Sequence, residues 1–386
     1  MRPRPPRPAL RYFAEDACTG YGESSYRLVE ALRARGVAVE YRGFHAEGDG
    51  RDLCAHVDPY RRDEQPDCQF GHDVPTIAHL VPEHYRAVRE LVGDVPLIGH
   101  TVWETDLVPA HWPEMMNAVE AVLVPCEWNR QVFVEGGVTS PISIVPHVVC
   151  DPVPGDRGVP LDLPNDVLVF YTIARWDPRK APWLTMRAFL EAFTSDDRVA
   201  LVVKTTPTIQ ARPLGKWGLE TPVFGTTSLE VARLLREYPH APHVRLEVHD
   251  ISPDRMAGLH WRGDCYVSLA HGEGWGLGEF DACAYGNPVV TTGWGGHLAY
   301  LDPDAAWLVD YELVPVRHHE PLSYSADQKW AEPSIENAAQ LLREVAADIS
   351  GARQRAAPLR ERVRCDYAGP TIAERALAAV DGIGGP

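Results

Sequence analysis

The sequence predicts an α/β protein built from two Rossmann-like halves with parallel sheets. Three observations carry that expectation. Strand-like and helix-like runs alternate from about Leu10 to the C-terminus, a Pro/Gly/Asp-rich segment interrupts the alternation at Asp151–Pro160, and 386 residues at 45% hydrophobic composition suffice for two cores.

In order, Ala9 to Ala14 reads as a first strand, followed by a turn over Asp16 to Gly22 and a helix from about Glu23 to Arg35. Tyr26, Leu28, Val29 and Leu32 form the apolar side of that helix, and Gly36 ends it before a strand at Val37 to Tyr41. Thr76 to Leu80, Val95 to Gly99 and Ala121 to Val124 continue the strands, with helices at Glu83 to Val92 and Trp128 to Glu135. Beyond the interruption, which reads as an interdomain linker, strands are expected at Val167 to Ile173, Val199 to Val203, Val244 to Val248, Cys265 to Ala270 and Pro288 to Thr291. Helices are expected at Pro182 to Phe193, Leu229 to Glu237 and Ile335 to Ala347, the second preceded by an irregular stretch. The domains are therefore placed at 1–163 and 164–369, with a C-terminal helix over 370–386 that can cross back to the first domain.

A formal net charge of -17 argues against a nucleic-acid or anionic-membrane surface, since both partners are polyanions. Any phosphate-bearing ligand must then be met by local cations. The eight cysteines are scattered, with no C-x-x-C pair and no clustered Cys/His set, so reduced thiols, a cytoplasmic location and no metal site are expected. The basic start Met1 to Pro8 leads into a strand-length run where a signal peptide would need an apolar core, and no run has the ~20 apolar residues of a membrane span. Scarce lysine against abundant arginine, alanine and proline suggests a GC-rich bacterial genome.

The stretch His271-Gly-Glu-Gly-Trp-Gly-Leu-Gly-Glu-Phe-Asp281 carries the most chemistry. It lies where a strand gives way to a helix, and four glycines at alternate positions strip side chains from the loop. Backbone N–H groups can there approach an anion and share the field of the helix N-terminus. Glu273 and Asp281 flank the loop as acceptors for hydroxyl groups, and Gly286-Asn287-Pro288 stops the helix. A second segment, Ala174-Arg-Trp-Asp-Pro-Arg-Lys180, closes the first strand after the linker with a cluster of cations. Preplaced cations suit a diphosphate leaving group, because they stabilise the charge that develops as the bond to it breaks. Arginine offers a fork to two phosphate oxygens and lysine a point charge.

These segments resemble the family-4 retaining glycosyltransferases (glycosyl transferases group 1), whose signature is a glutamate, a G-F-G-L turn, a second acid eight residues on, and G-x-P-V-V. Glu273, Gly274-Trp275-Gly276-Leu277, Asp281 and Gly286-Asn287-Pro288-Val289-Val290 keep that spacing, although the second acid is normally Glu and Gly278 stands where proline is usual. The resemblance implies a GT-B fold, with two Rossmann-like domains facing each other across a donor cleft. It implies that Glu273 accepts from donor-sugar hydroxyls, that the amides of Trp275, Gly276 and Leu277 hold sugar and phosphate, and that Asp281 takes the ribose diol, with Glu279 its rival. Arg175 and Lys180 match the family's paired phosphate cations, while Arg179 reads as a bystander. Gly20 and Gly22 match its glycine-rich loop facing the diphosphate, and His100 its histidine at the sugar site. Glu104 and Asp106 are acceptor-side candidates, and Val145-Pro146-His147 resembles the segment closing the first domain. Lys204 stays unassigned. A dinucleotide fingerprint fails at its third glycine, which is Ser25.

The expected activity is transfer of a sugar, with retention, from a UDP- or GDP-sugar to an acceptor the sequence leaves open, with no metal or other cofactor. A soluble, glycan or natural-product acceptor is favoured by the mixed charge of Glu23 to Arg35 and Glu83 to Val92, which lack the basic face of a membrane-docking helix. A nucleotide-sugar epimerase and a non-catalytic nucleotide-sugar-binding subunit remain alternatives. A glycosidase is a poor reading, since cations and a glycine loop point to phosphate rather than to a bond held between two carboxylates.

Overall fold

The computed structural model describes residues 9–15, 19–44, 46–47, 52–53, 74–150, 152, 163–208, 226–249, 251–318 and 320–383. The N-terminal tail, Cys18, Cys54, Cys68 and, apart from Pro152, the expected linker lie outside them. The chain divides into two compact units. One comprises Met1–Trp103, Leu107–Cys150 and Cys365–Pro386, the other Glu104–Asp106 and Asp151–Arg364.

The first unit is β1 (Ala9–Glu15), α1 (Gly20–Ala34), β2 (Ala38–Phe44), the short pair β3 (Ala46–Glu47) and β4 (Asp52–Leu53), β5 (Thr76–His79), α2 (Tyr85–Val92), β6 (Leu97–His100), α3 (Trp112–Met116), β7 (Ala121–Val124), α4 (Glu127–Glu135) and β8 (Ile142–Ile144). Six of its strands form one parallel sheet in the order β2-β1-β5-β6-β7-β8. Helix α1 begins three residues earlier than its apolar pattern indicates, because Thr19 caps it: its hydroxyl accepts from Gly22 N at 3.1 Å.

The second unit follows the same plan: β9 (Leu168–Ile173), α5 (Pro182–Ala192), β10 (Val199–Lys204), α6 (Thr227–Leu235), β11 (His243–Glu247), α7 (Pro253–Arg262), β12 (Cys265–Ser268), α8 (Leu277–Tyr285), β13 (Val289–Thr292) and β14 (Trp307–Val309). Then come a hairpin of β15 (Tyr311–Pro315) and β16 (Lys329–Pro333), and helices α9 (Ile335–Ala347) and α10 (Ile349–Asp366). The sheet is parallel in the order β11-β10-β9-β12-β13-β14, the doubly wound Rossmann arrangement. Its central strands are buried on both faces, as a parallel sheet requires. One face packs Phe170, Leu201 and Val267 against Phe189, Phe193, Leu342 and Val345 of the helical layer.

The last helix, α11 (Gly369–Asp381), belongs to the first unit, where Ile372, Ala373, Ala376 and Val380 join the core formed by Leu28, Leu32 and Ile77.

Candidate functional site

In a doubly wound sheet, ligands gather beyond the carboxyl ends of the two strands where the strand order reverses. In the second unit those strands are β9 and β12, which pair at Cys265–Phe170 and Tyr266–Tyr171. The loops that follow them, 174–181 and 269–276, are the two segments the sequence marks as chemical. The fold therefore brings together residues more than ninety positions apart.

The first loop is a tight turn organised by Asp177, a buried acid whose Oδ1 accepts from Lys180 N at 2.8 Å and whose carbonyl accepts from Ala181 N. Burial alone would raise the Asp177 carboxyl, but the charges of Arg179 and Arg175 hold it below its ordinary value. Ala181 sits at φ 39°, in the left-handed region, immediately before Pro182 opens α5. That strain is local to the cationic turn. Arg175 is half-exposed, with its Nε 3.4 Å from Asp177.

The second loop is laced to the first. His271 N donates to Arg179 O, and the His271 ring donates from Nδ1 to Pro178 O at 2.7 Å while its face stacks on Trp330. Glu273 is buried, and its two oxygens go to different cations. Lys180 Nζ donates to Oε1 at 2.5 Å, and Arg179 Nη1 stands 3.5 Å from Oε2. Burial would raise the Glu273 carboxyl, but Lys180 and Arg179 together hold it below the usual glutamate value. Glu273 is therefore an ionised acceptor and a weak base.

Gly276, at φ 77°, is the N-cap of α8, and the left-handed Gly286 is its C-cap. Trp275 is buried against Phe280 and Tyr300, whose hydroxyl donates to Gly276 O at 2.7 Å. The turn is thus held rigidly with its helix N-terminus beside Glu273. Leu277 is half-buried at N1.

The two rival acids separate. Glu279 lies on the buried face of α8, with burial first and the Glu273 charge next raising its carboxyl. Asp281, about 200° further round the helix, is half-buried among the electrostatic neighbours of Tyr171 and Cys283. Glu279 therefore shares the Glu273 environment, and Asp281 occupies a different face.

Arg179 is not the bystander its sequence context suggests. Its side chain is 11% exposed, and Nη2 lies 3.4 Å from Glu104 while Nη1 donates to Gly272 O at 2.9 Å. Asp106 is taken up structurally, its Oδ1 accepting from Lys329 N at 2.6 Å. Lys204, at the end of β10, donates to Thr205 O.

In the first unit the strand order reverses between β1 and β5. Gly20 is exposed and Gly22 buried in the first turn of α1, neither at positive φ. Nearby, Tyr21 shares a 2.8 Å hydrogen bond with Thr101. His79 and His100 end the neighbouring strands β5 and β6, and their rings stack at 3.8 Å, with His147 6.0 Å from His100. His79 Nδ1 bonds Tyr12 at 2.8 Å, whereas both His100 nitrogens are buried without a hydrogen-bond partner. Burial pushes the His100 imidazole down to about 3, so it is neutral at physiological pH. Among the described residues this trio is the grouping of ligand-type side chains close enough for a metal ion. The His79 and His100 rings lie within 17° of parallel, however. Imidazole lone pairs lie in the ring plane, so such rings do not aim at one point, and the trio reads as a packed neutral stack.

Sequence reasoning missed Arg179, Asp177 and His271. The one available signal was position, since each lies within two residues of a strand-end loop residue already singled out.

The sequence matches no family model and no curated protein. Solved structures are similar. Sucrose-phosphate synthase from Thermosynechococcus elongatus aligns over 98% of this chain and 99% of its own at 15% identity and TM-score 0.67. HepE from Anabaena, in complex with UDP and glucose, aligns over 97% and 100% at 12% identity and TM-score 0.66. α,α-Trehalose 6-phosphate synthase from Burkholderia multivorans aligns over 98% and 99% at 12% identity and TM-score 0.63. At these identities the likeness is one of fold, the GT-B fold of two Rossmann-like units.

Proposed function

We propose that this GT-B chain is a glycosyltransferase that moves a sugar from a nucleoside-diphosphate donor to an acceptor hydroxyl, with retention and without a metal. One observation carries the reading. At the β9/β12 switch point, the buried ionised Glu273 holds Lys180, in the loop that opens α8, and Arg175 stands on Asp177 in the same turn as Lys180. A carboxylate among cations accepts from sugar hydroxyls, while the cations and the helix N-terminus suit a diphosphate.

Retention is supported by the state of Glu273. A carboxylate that keeps Arg179 on one oxygen is too weak a base to activate an acceptor for attack on the opposite face. In the proposed step the sugar C1–O bond to phosphate breaks, the departing phosphate oxygen takes the acceptor hydroxyl proton, and the new C1–O bond forms on the same face. Glu279 and Asp281 remain the two candidates for the ribose, with Asp281 the more exposed. The amides of Trp275, Gly276 and Leu277 are proposed to hold the phosphates. Gly20 and Gly22 of the first unit are proposed to meet the diphosphate and His100, whose ring is fully buried, to bound the sugar through its backbone carbonyl; the acceptor is proposed to be soluble.

UDP is the first diphosphate to test, because HepE was solved in complex with UDP and glucose and in complex with UDP-glucose. A cytoplasmic site of action is in keeping with the free thiols of Cys265, Cys283 and Cys365, and no helix among the described residues is long and apolar enough to cross a membrane.

The test is calorimetric titration of UDP, GDP, TDP and ADP into the wild type and the Arg175→Ala/Lys180→Ala variant. One diphosphate binds the wild type and loses at least about tenfold in affinity in the variant, as expected for two lost charge-assisted contacts. Binding of none, or binding indifferent to both cations, refutes the phosphate site. Chromatography of the bound donor incubated without acceptor separates transfer from epimerisation.

A further inference from the structure

We infer that Arg179 is a positioning residue for Glu273: it holds the second carboxylate oxygen and the preceding peptide in place, leaving Lys180 to turn from Glu273 toward an arriving diphosphate. The role assigned to Glu273 rests on the proposed function; the geometry of Arg179 does not.

Three contacts of the guanidinium and one of the backbone fix Arg179. Nη1 reaches both Gly272 O at 2.9 Å and Glu273 Oε2 at 3.5 Å, so one nitrogen spans the peptide and the side chain of the loop. Nη2 lies 3.4 Å from Glu104, which offsets the second positive charge beside Glu273. The backbone of Arg179 is tied to the same loop through His271 N. The Glu104 peptide covers the loop from outside, since a Cβ on Gly272 would lie 2.0 Å from Glu104 O.

An arginine that only neutralised Glu104 would have no reason to hold Gly272 O. A lysine would have to meet both from a single nitrogen, because it lacks the planar fork that places two donor nitrogens in one rigid group. Lys180 is the more exposed of the two cations, at 23% against 11% of side-chain surface, and is the one free to exchange partners. The cluster thus contains one structural cation and one adaptable cation around a single carboxylate.

Carbon-13 labelling of the glutamate side-chain carboxyls, with Glu273 assigned by its absence in Glu273→Gln, reads the effect directly. In Arg179→Gln the Glu273 resonance titrates about one pH unit or more above the wild type, because a neighbouring cation favours the ionised carboxylate. Arg179→Lys restores part of the shift, and Glu104→Gln does not raise it. If Arg179→Gln fails to fold, Glu104→Gln/Arg179→Gln removes both charges together and is compared with Glu104→Gln alone, above which the Glu273 titration is expected to rise. Equal Glu273 titration in wild type and in these variants overturns the inference. So does a loss of UDP affinity beyond about tenfold in Arg179→Gln, which would place Arg179 on the diphosphate. If the wild type binds none of the four diphosphates, the proposed function falls, while the carboxyl titration still decides what Arg179 does.

Discussion

Gly272 has no room for a side chain, and the reason is a backbone atom: Glu104 O would sit 2.0 Å from a Cβ built there. A carbonyl cannot rotate away as a flexible side chain can. Gly272→Ala is therefore expected to destabilise the second unit by about 1–3 kcal/mol, the usual cost of overpacking. A lowered urea midpoint followed by Trp fluorescence checks this, and an unchanged midpoint would mean that the Glu104 peptide is free to move. At Gly276 the demand is doubled, by φ 77° and by Glu279 Oε2 at 2.9 Å from a Cβ. The four alternate glycines look alike in sequence. The requirements of Gly272, Gly276 and Gly278 differ because they face Glu104, Glu279 and Tyr266 respectively.

At the scale of elements, the ends of β5 and β6 place His79 and His100 side by side, with His147 close to both. Burial lowers all three imidazoles below the ordinary histidine value, so the folded unit holds them neutral. The unfolded chain takes up their protons near pH 6.5. Stability from these groups is thus fully present above about pH 6.5 and falls as pH drops, by up to about 1.4 kcal/mol per pH unit for each histidine. Urea midpoints should decline from pH 7 to pH 5. His100→Leu should flatten that decline and removes two unpaired buried nitrogens, whereas parallel slopes would contradict the neutral stack. The element boundaries themselves were mostly visible as periodic runs. Helix α10 was not, because its polar residues and Pro358 blur the apolar stripe, and the hairpin of β15 and β16 was not, because β15 is largely exposed.

At the scale of the whole molecule, α11 lies at the end of the chain yet completes the core of the first unit through Ile372, Ala376 and Val380. Truncation after Ala368 removes that layer and should lower the stability of the first unit by several kcal/mol, at about 1.5–3 kcal/mol for each large aliphatic side chain. Hydrogen exchange should show protection lost in α1, which packs on α11, and kept in β9 and β10. Equal protection in α1 would mean that the helix is dispensable. By itself the sequence determined the α/β alternation, the ends of α1 at Gly36 and of α8 at Gly286, and the location of Arg175, Lys180 and Glu273 in loops after strands. Those features follow from periodicity and turn chemistry within a dozen residues of chain. The tertiary structure decided which loops meet, that Arg179 joins Lys180 on Glu273, that Glu279 and not Asp281 lies in the buried environment of Glu273, and that two histidines stack. Each depends on which strands lie side by side. β9 and β12 are neighbours only after the β9-β10-β11 half of the sheet has wound one way and the chain has crossed back. Local sequence does not carry that reversal, and the candidate site is built on it.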